Sequence, residues 1–177
     1  MVKDALFHDI SHAGLNPYLT LHLAQVLLRA GDRRFWPLMQ AIASLSSPTG
    51  NWPEAIHPQL DTGCMGDGQH VWAAAEWLMM MRNCFVREEE RSSQLVLCSG
   101  VPEKWLMPGT RLAFGPTQTA FGPVSVWVDA GDKEITVRWE GRWQAMQPSI
   151  DVRLPWASAQ PESGATSISL SAEGRGV

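Results

Sequence analysis

The chain has 177 residues, 45% of them apolar, and a formal net charge of −4. That is enough for one ordinary domain or two small ones around a sizeable core, and it excludes global disorder. No basic run offers a nucleic-acid surface, and no stretch approaches the roughly 20 apolar residues that a membrane span requires. Met1 to Asp9 hold neither an apolar run nor a small-residue cleavage site, so no signal peptide is expected and a cytoplasmic location is.

Three cysteines, Cys64, Cys84 and Cys98, are widely spaced and odd in number, which supports neither a disulfide framework nor a paired-cysteine metal site. Reduced, mostly buried thiols are the expectation. Nine tryptophans are many for this length. Indole faces stack on sugars, but tryptophan is equally a core residue.

In chain order, Asn16 is a natural N-cap and Pro17 a natural first helical residue. They open a helix that runs apolar around much of its circumference to Gly31, a C-terminal cap glycine. Asp32 is placed to cap a second helix through Phe35, Trp36, Leu38, Met39, Ile42 and Leu45, which Pro48 and Gly50 stop. The short turn between the two predicts a helical hairpin. A third helix is expected from Val71 to Phe85, capped by Asp67 and fading into the charged residues 87–91. The Glu88-Glu89-Glu90 run reads as a solvated helix end.

From Gln94 the period changes. Leu95 to Cys98 reads as a buried strand, and residues 101–106 as a single turn. Thr119 to Val128 reads as a strand broken at Gly122-Pro123. Residues 130–133 form a hairpin turn, and Glu134–Glu140 and Ile150–Leu154 alternate as strands do. Helices followed by strands predict an α+β chain. Its parts would be a helical hairpin region over 1–92, a small antiparallel β-sandwich over 93–156 and a Ser-, Ala- and Gly-rich flexible tail over 157–177.

Between the second and third helices lies the stretch Asn51-Trp52-Pro53-Glu54-Ala55-Ile56-His57-Pro58, continued by Gly63-Cys64-Met65-Gly66-Asp67-Gly68-Gln69-His70. Carboxylates, imidazoles and indoles gathered in a proline- and glycine-rich loop are what binding and catalysis use. Together with Gly14-Leu15-Asn16-Pro17-Tyr18-Leu19-Thr20 and Val71-Trp72-Ala73-Ala74-Ala75-Glu76-Trp77, this loop resembles the C-terminal end of six-hairpin (α/α)6-toroid glycoside hydrolases. The likeness is to glucoamylase-like members with an appended β-sandwich. It implies a late Pro-Glu loop that supplies the catalytic base, matched here by Glu54, although Ala55 stands where those enzymes usually carry glutamine. It also implies that the chain is the tail of a longer polypeptide, a truncated gene product or a subunit completing a partner.

Glycoside hydrolysis needs two carboxyls, and the second would come from an earlier hairpin. Glu54 reads alternatively as a loop glutamate on the surface or paired with an arginine, and Asp67 as an N-cap that also lines the pocket. His57 and His70 are candidates to hydrogen-bond sugar hydroxyls or to orient the loop. Trp52 and Trp72 are candidates to stack on a pyranose, while Trp77 belongs in the core. No metal or other cofactor is expected, since His57 and His70 match no zinc spacing. Phosphate-loop and serine-elbow motifs are absent. Two functions follow: a carbohydrate-active portion of a glycosidase, weak or inactive alone, or a non-catalytic module that binds a partner chain or a second copy through exposed helix faces.

Overall fold

The computed structural model describes every residue except 10–12, 67, 90–91 and 176–177. The chain divides into two compact units, Met1–Met81 and Arg82–Val177.

The first unit combines helices with a small sheet. Its elements are β1 (Phe7–Asp9), β2 (Ala13–Leu15), α1 (Pro17–Arg29), α2 (Phe35–Ser44), β3 (Ala55–Ile56), β4 (Gly63–Met65) and most of α3 (Val71–Phe85). The four strands pair in sequence order, each antiparallel to the next. Asn16 caps α1 as its sequence suggests, its Oδ1 accepting the Leu19 N–H at 2.9 Å with Pro17 in the first turn. At the other end, Gly31 N–H donates to the Leu28 carbonyl and Asp32 N–H to the Leu27 carbonyl, at 3.0 and 2.9 Å. This double closure needs the left-handed φ of 72° that Gly31 adopts without a Cβ penalty. α2 packs on α1 through Phe35, Leu38, Met39 and Ile42, all buried. Asp32 stands ahead of α2, its Oδ1 accepting the Arg34 N–H at 2.9 Å.

The second unit holds β5 (Val86–Glu89), β6 (Gln94–Leu97), β7 (Arg111–Thr117), β8 (Val124–Ala130), β9 (Glu134–Gly141), β10 (Ser149–Arg153), β11 (Ser158–Ala159) and β12 (Ser167–Ser171). A single 3-10 turn, Glu103–Trp105, falls in the 101–106 stretch. One sheet has the order β11-β10-β6-β5 and is mixed, because β10 runs parallel to β6. The other, β12-β9-β8-β7, is wholly antiparallel. Strand period decides which side chains are inside: Val124, Val126, Val128 and Ala130 of β8 are buried, as are Ile135, Val137 and Trp139 of β9. Leu95, Val96 and Leu97 are buried in succession, so β6 is covered on both faces. Gly122 has φ 119°, and a Cβ there would sit 2.1 Å from the Arg142 carbonyl oxygen, which explains the break before β8.

This architecture overturns the toroid resemblance and the fold class drawn from it. Among the described residues there are three α-helices against twelve strands in three sheets. The N-terminal region is therefore not a stack of helical hairpins but a helix pair with a four-stranded sheet. The β region is likewise not purely antiparallel. The sheet of the first unit leaves no periodic mark in the sequence, because its strands have only two or three residues each.

Residues 86–89 correct a second expectation. They form β5 rather than a solvated helix end, and Arg87 is wholly buried. Glu88 accepts from Arg82 Nη2 at 2.6 Å and Nη1 at 2.7 Å, and from the Ala120 N–H at 3.1 Å. Burial pushes the Glu88 carboxyl up, but the hydrogen bonds and charge of Arg82 outweigh it and hold the group below its ordinary range. The 157–177 stretch, read as a loose tail, carries β11 and β12, and β12 pairs along β9 from Ser167 to Ser171.

The three thiols are free. Burial pushes Cys84 and Cys98 up to about 12, whereas Cys64 is exposed. A chromogenic disulfide reagent is therefore expected to titrate Cys64 alone in the native protein and all three in denaturant. A second thiol reacting natively would contradict the burial of Cys84 or Cys98.

Candidate functional site

The Trp52–His70 stretch is held by β3 and β4 and by hydrogen bonds at either end. Glu54 N–H donates to the Met65 carbonyl at 3.1 Å, and His70 N–H to the Trp52 carbonyl at 2.8 Å. The glycines follow from close approach: a Cβ on Gly63 would lie 3.0 Å from Pro53 Cβ, and one on Gly66 would lie 3.3 Å from Glu54 N. Trp52 is only 3% exposed, its Nε1 donates to the Ile42 carbonyl at 2.8 Å, and its ring tilts against Trp77 at 5.4 Å. Its indole thus belongs to the core and presents no open face to a ligand.

His57 organises the turn between β3 and β4. Its Nδ1 accepts the Gln59 and Leu60 N–H groups at 3.2 and 3.3 Å, while its own N–H donates to the Thr62 carbonyl at 2.8 Å. An Nδ1 that accepts leaves the ring proton on Nε2. Glu54 is half-buried immediately before β3. Asp67 lies outside the described residues.

His70 and Trp72 come together with residues that the sequence reading did not single out. Trp72 stacks on Tyr18 with centroids 4.4 Å apart and planes 20° apart, and the His70 ring lies 5.3 Å from Tyr18. Beneath this stack, Glu76 collects three donors. Its Oε1 accepts from His22 Nε2 at 2.8 Å and Trp72 Nε1 at 3.3 Å, and its Oε2 accepts from Gln25 Nε2 at 2.6 Å. His70 Nδ1 is buried without a hydrogen-bond partner.

The local sequence explains the cluster. Tyr18, His22 and Gln25 fall at i, i+4 and i+7 on α1, one stripe of an otherwise apolar helix, and Trp72 and Glu76 are an i, i+4 pair on α3. That polar and aromatic stripe was the signal available in the sequence. Chemically, the cluster is one carboxylate hydrogen-bonded by imidazole, amide and indole donors, which ties α1 to the start of α3. No group of three or more His, Cys, Asp or Glu side chains that could hold a metal ion occurs among the described residues. No helix among them is long and apolar enough to cross a membrane.

Fold and site together define a β-rich protein of two units, with an aromatic, imidazole and carboxylate cluster joining two helices of the first. No protein-family model, curated protein or solved structure matches the chain. The comparisons thus give the glycosidase resemblance no support, in agreement with the fold that overturns it.

Proposed function

We propose that the protein is a non-catalytic assembly module that pairs with a second copy of itself through the solvent-facing side of α3. The observation that carries this reading is the uncovered apolar surface of that helix. Val71 is 79% exposed, Leu78 69%, Trp72 52% and Met79 45%. Ala75 is exposed between them. Contiguous apolar surface of this kind is rarely left open, and Trp and Met are favoured at interface centres.

The spacing suits a two-fold partner. Around Ala75, the large apolar residues stand at i−4, i−3, i+3 and i+4, so an antiparallel copy meets the same pattern read backwards. A two-fold interface requires this self-complementarity, and the small Ala75 lets the two backbones approach where they cross. The reading places the protein in the cytoplasm, with its cysteines as thiols.

Size-exclusion chromatography with light scattering tests it. The protein is expected to run as a dimer that dissociates on dilution, and Leu78→Glu to weaken dimerisation by roughly 30-fold, the equivalent of about 2 kcal/mol. Leu78 is exposed, so the substitution leaves the monomer folded. A wild-type chain that stays monomeric at about 100 μM, far above a typical homodimer's dissociation constant, would end the proposal.

A further inference from the structure

The solvent face of the β7–β9 sheet carries a second surface, independent of α3 and of the assembly reading. Strand alternation turns Ala113, Trp127, Asp129 and Arg138 away from the buried valines. Cross-strand register sets Ala113 opposite Trp127, Trp127 opposite Arg138, and Arg111 opposite Asp129. These residues line an open groove of about 920 Å³, bounded at one end by Gly109, Thr110 and Gly131. That volume lies within the range of small-ligand sites.

The side chains in the groove differ in how they are committed. Asp129 is taken up by Arg138, whose Nη2 donates to Oδ2 at 2.8 Å. Arg111 touches the same carboxylate only through Nε, at 3.4 Å, and its side chain is 87% exposed, so its outer fork faces solvent. Trp127 has only a methyl group across from it on β7, and its indole makes no hydrogen bond among the described residues. The groove thus offers an indole face and, on the diagonal position roughly 7–8 Å away, a planar cation with unfilled donors.

We infer that this groove binds an acidic saccharide, one uronate ring lying on Trp127 with its carboxylate on Arg111. The C–H face of a pyranose is weakly positive and meets the negative face of the indole. A guanidinium fork matches a carboxylate in two parallel hydrogen bonds. Two arginines against Asp129 leave the groove with net positive charge.

The experiment is calorimetric titration of the full chain with tetragalacturonate and, separately, with the neutral cellotetraose, with indole N–H resonances followed by NMR. Tetragalacturonate is expected to bind and to shift one indole signal, which Trp127→Ala removes from the spectrum. Arg111→Ala is expected to weaken the acidic ligand about tenfold, the scale of one charge-assisted pair. Since Arg111 is at the surface, that variant keeps its fold even if Trp127→Ala does not. Equal binding of the neutral tetrasaccharide would overturn the proposal. So would binding that Arg111→Ala leaves unchanged, or no binding at millimolar ligand.

Discussion

Trp52→Ala is expected to lower the unfolding free energy by about 3–5 kcal/mol, the range for truncating a fully packed aromatic side chain. The indole fills space against Trp77, and its Nε1 is the partner of the Ile42 carbonyl at the end of α2. Removing it leaves a cavity and takes one of two hydrogen bonds from the Ile42 carbonyl, which keeps the Leu45 N–H at 3.2 Å. Trp52→Phe separates the two: most of the ring packing stays, and the lost hydrogen bond costs about 1–2 kcal/mol. Urea denaturation followed by circular dichroism measures both. A Trp52→Ala protein within about 0.5 kcal/mol of wild type, the usual scatter for surface changes, would mean that the indole is not a core group. The result also bears on function, because the Trp52 carbonyl holds the His70 N–H at 2.8 Å and so anchors the segment that leads into α3.

The second large effect is expected at Glu89. Arg87 is wholly buried, with Nε on Ser99 Oγ at 3.2 Å and Nη1 on Glu89 Oε2 at 2.8 Å, while Nη2 is buried without a partner. Taking away Glu89 leaves a buried guanidinium short of its counter-charge. Glu89→Ala should therefore cost about 3 kcal/mol, the low end for breaking such a pair, since Glu89 is itself partly solvated. Arg87→Met removes the buried charge and leaves Glu89, whose side chain is 38% exposed and can be solvated, so it is expected to cost less than Glu89→Ala. Chemical denaturation of the two variants side by side checks the contrast. If Arg87→Met proved the more damaging, packing or hydrogen bonding of the guanidinium, and not its uncompensated charge, would dominate.

Elements whose signals are local were legible in the sequence. Asn16-Pro17 opens α1 and Gly31 closes it, because caps act within one turn of chain. The alternation from Glu134 to Glu140 is β9 and the 130–133 turn joins it to β8, since one buried face imposes period two. Other elements needed a partner to exist. β5 carries Arg87, Glu88 and Glu89, residues that favour a helix surface. It is a strand because β6 pairs with it from Val86 to Glu89 and because Arg82 and Glu89 compensate its charges. β1 to β4 have too few residues for any period, and β12 looked like a loose tail until set along β9.

The candidate site divides in the same way. Trp72 and His70 were marked by type and by the loop that carries them. Tyr18, His22 and Gln25 were not, since a polar stripe on an apolar helix has no meaning until α3 brings Glu76 to it. Trp52 and His57 kept their expected place in the loop, but Trp52 points into the core and His57 holds a turn. The toroid resemblance drew on these residue types in this order, and order along a chain does not fix the sheets between them.

By itself, the sequence determined α1, α2 and α3 with the caps of α1, the hairpin of β8 and β9 and the free thiols. These depend on interactions spanning a few residues, or on composition. Tertiary structure alone decided which strands pair into sheets, the burial of Arg87, the gathering of donors on Glu76 and the exposed stripes on α3 and on β7 to β9. Each of those depends on which segments pack together, because hydrogen-bond partners and solvent exposure belong to pairs of elements and not to any single stretch of chain.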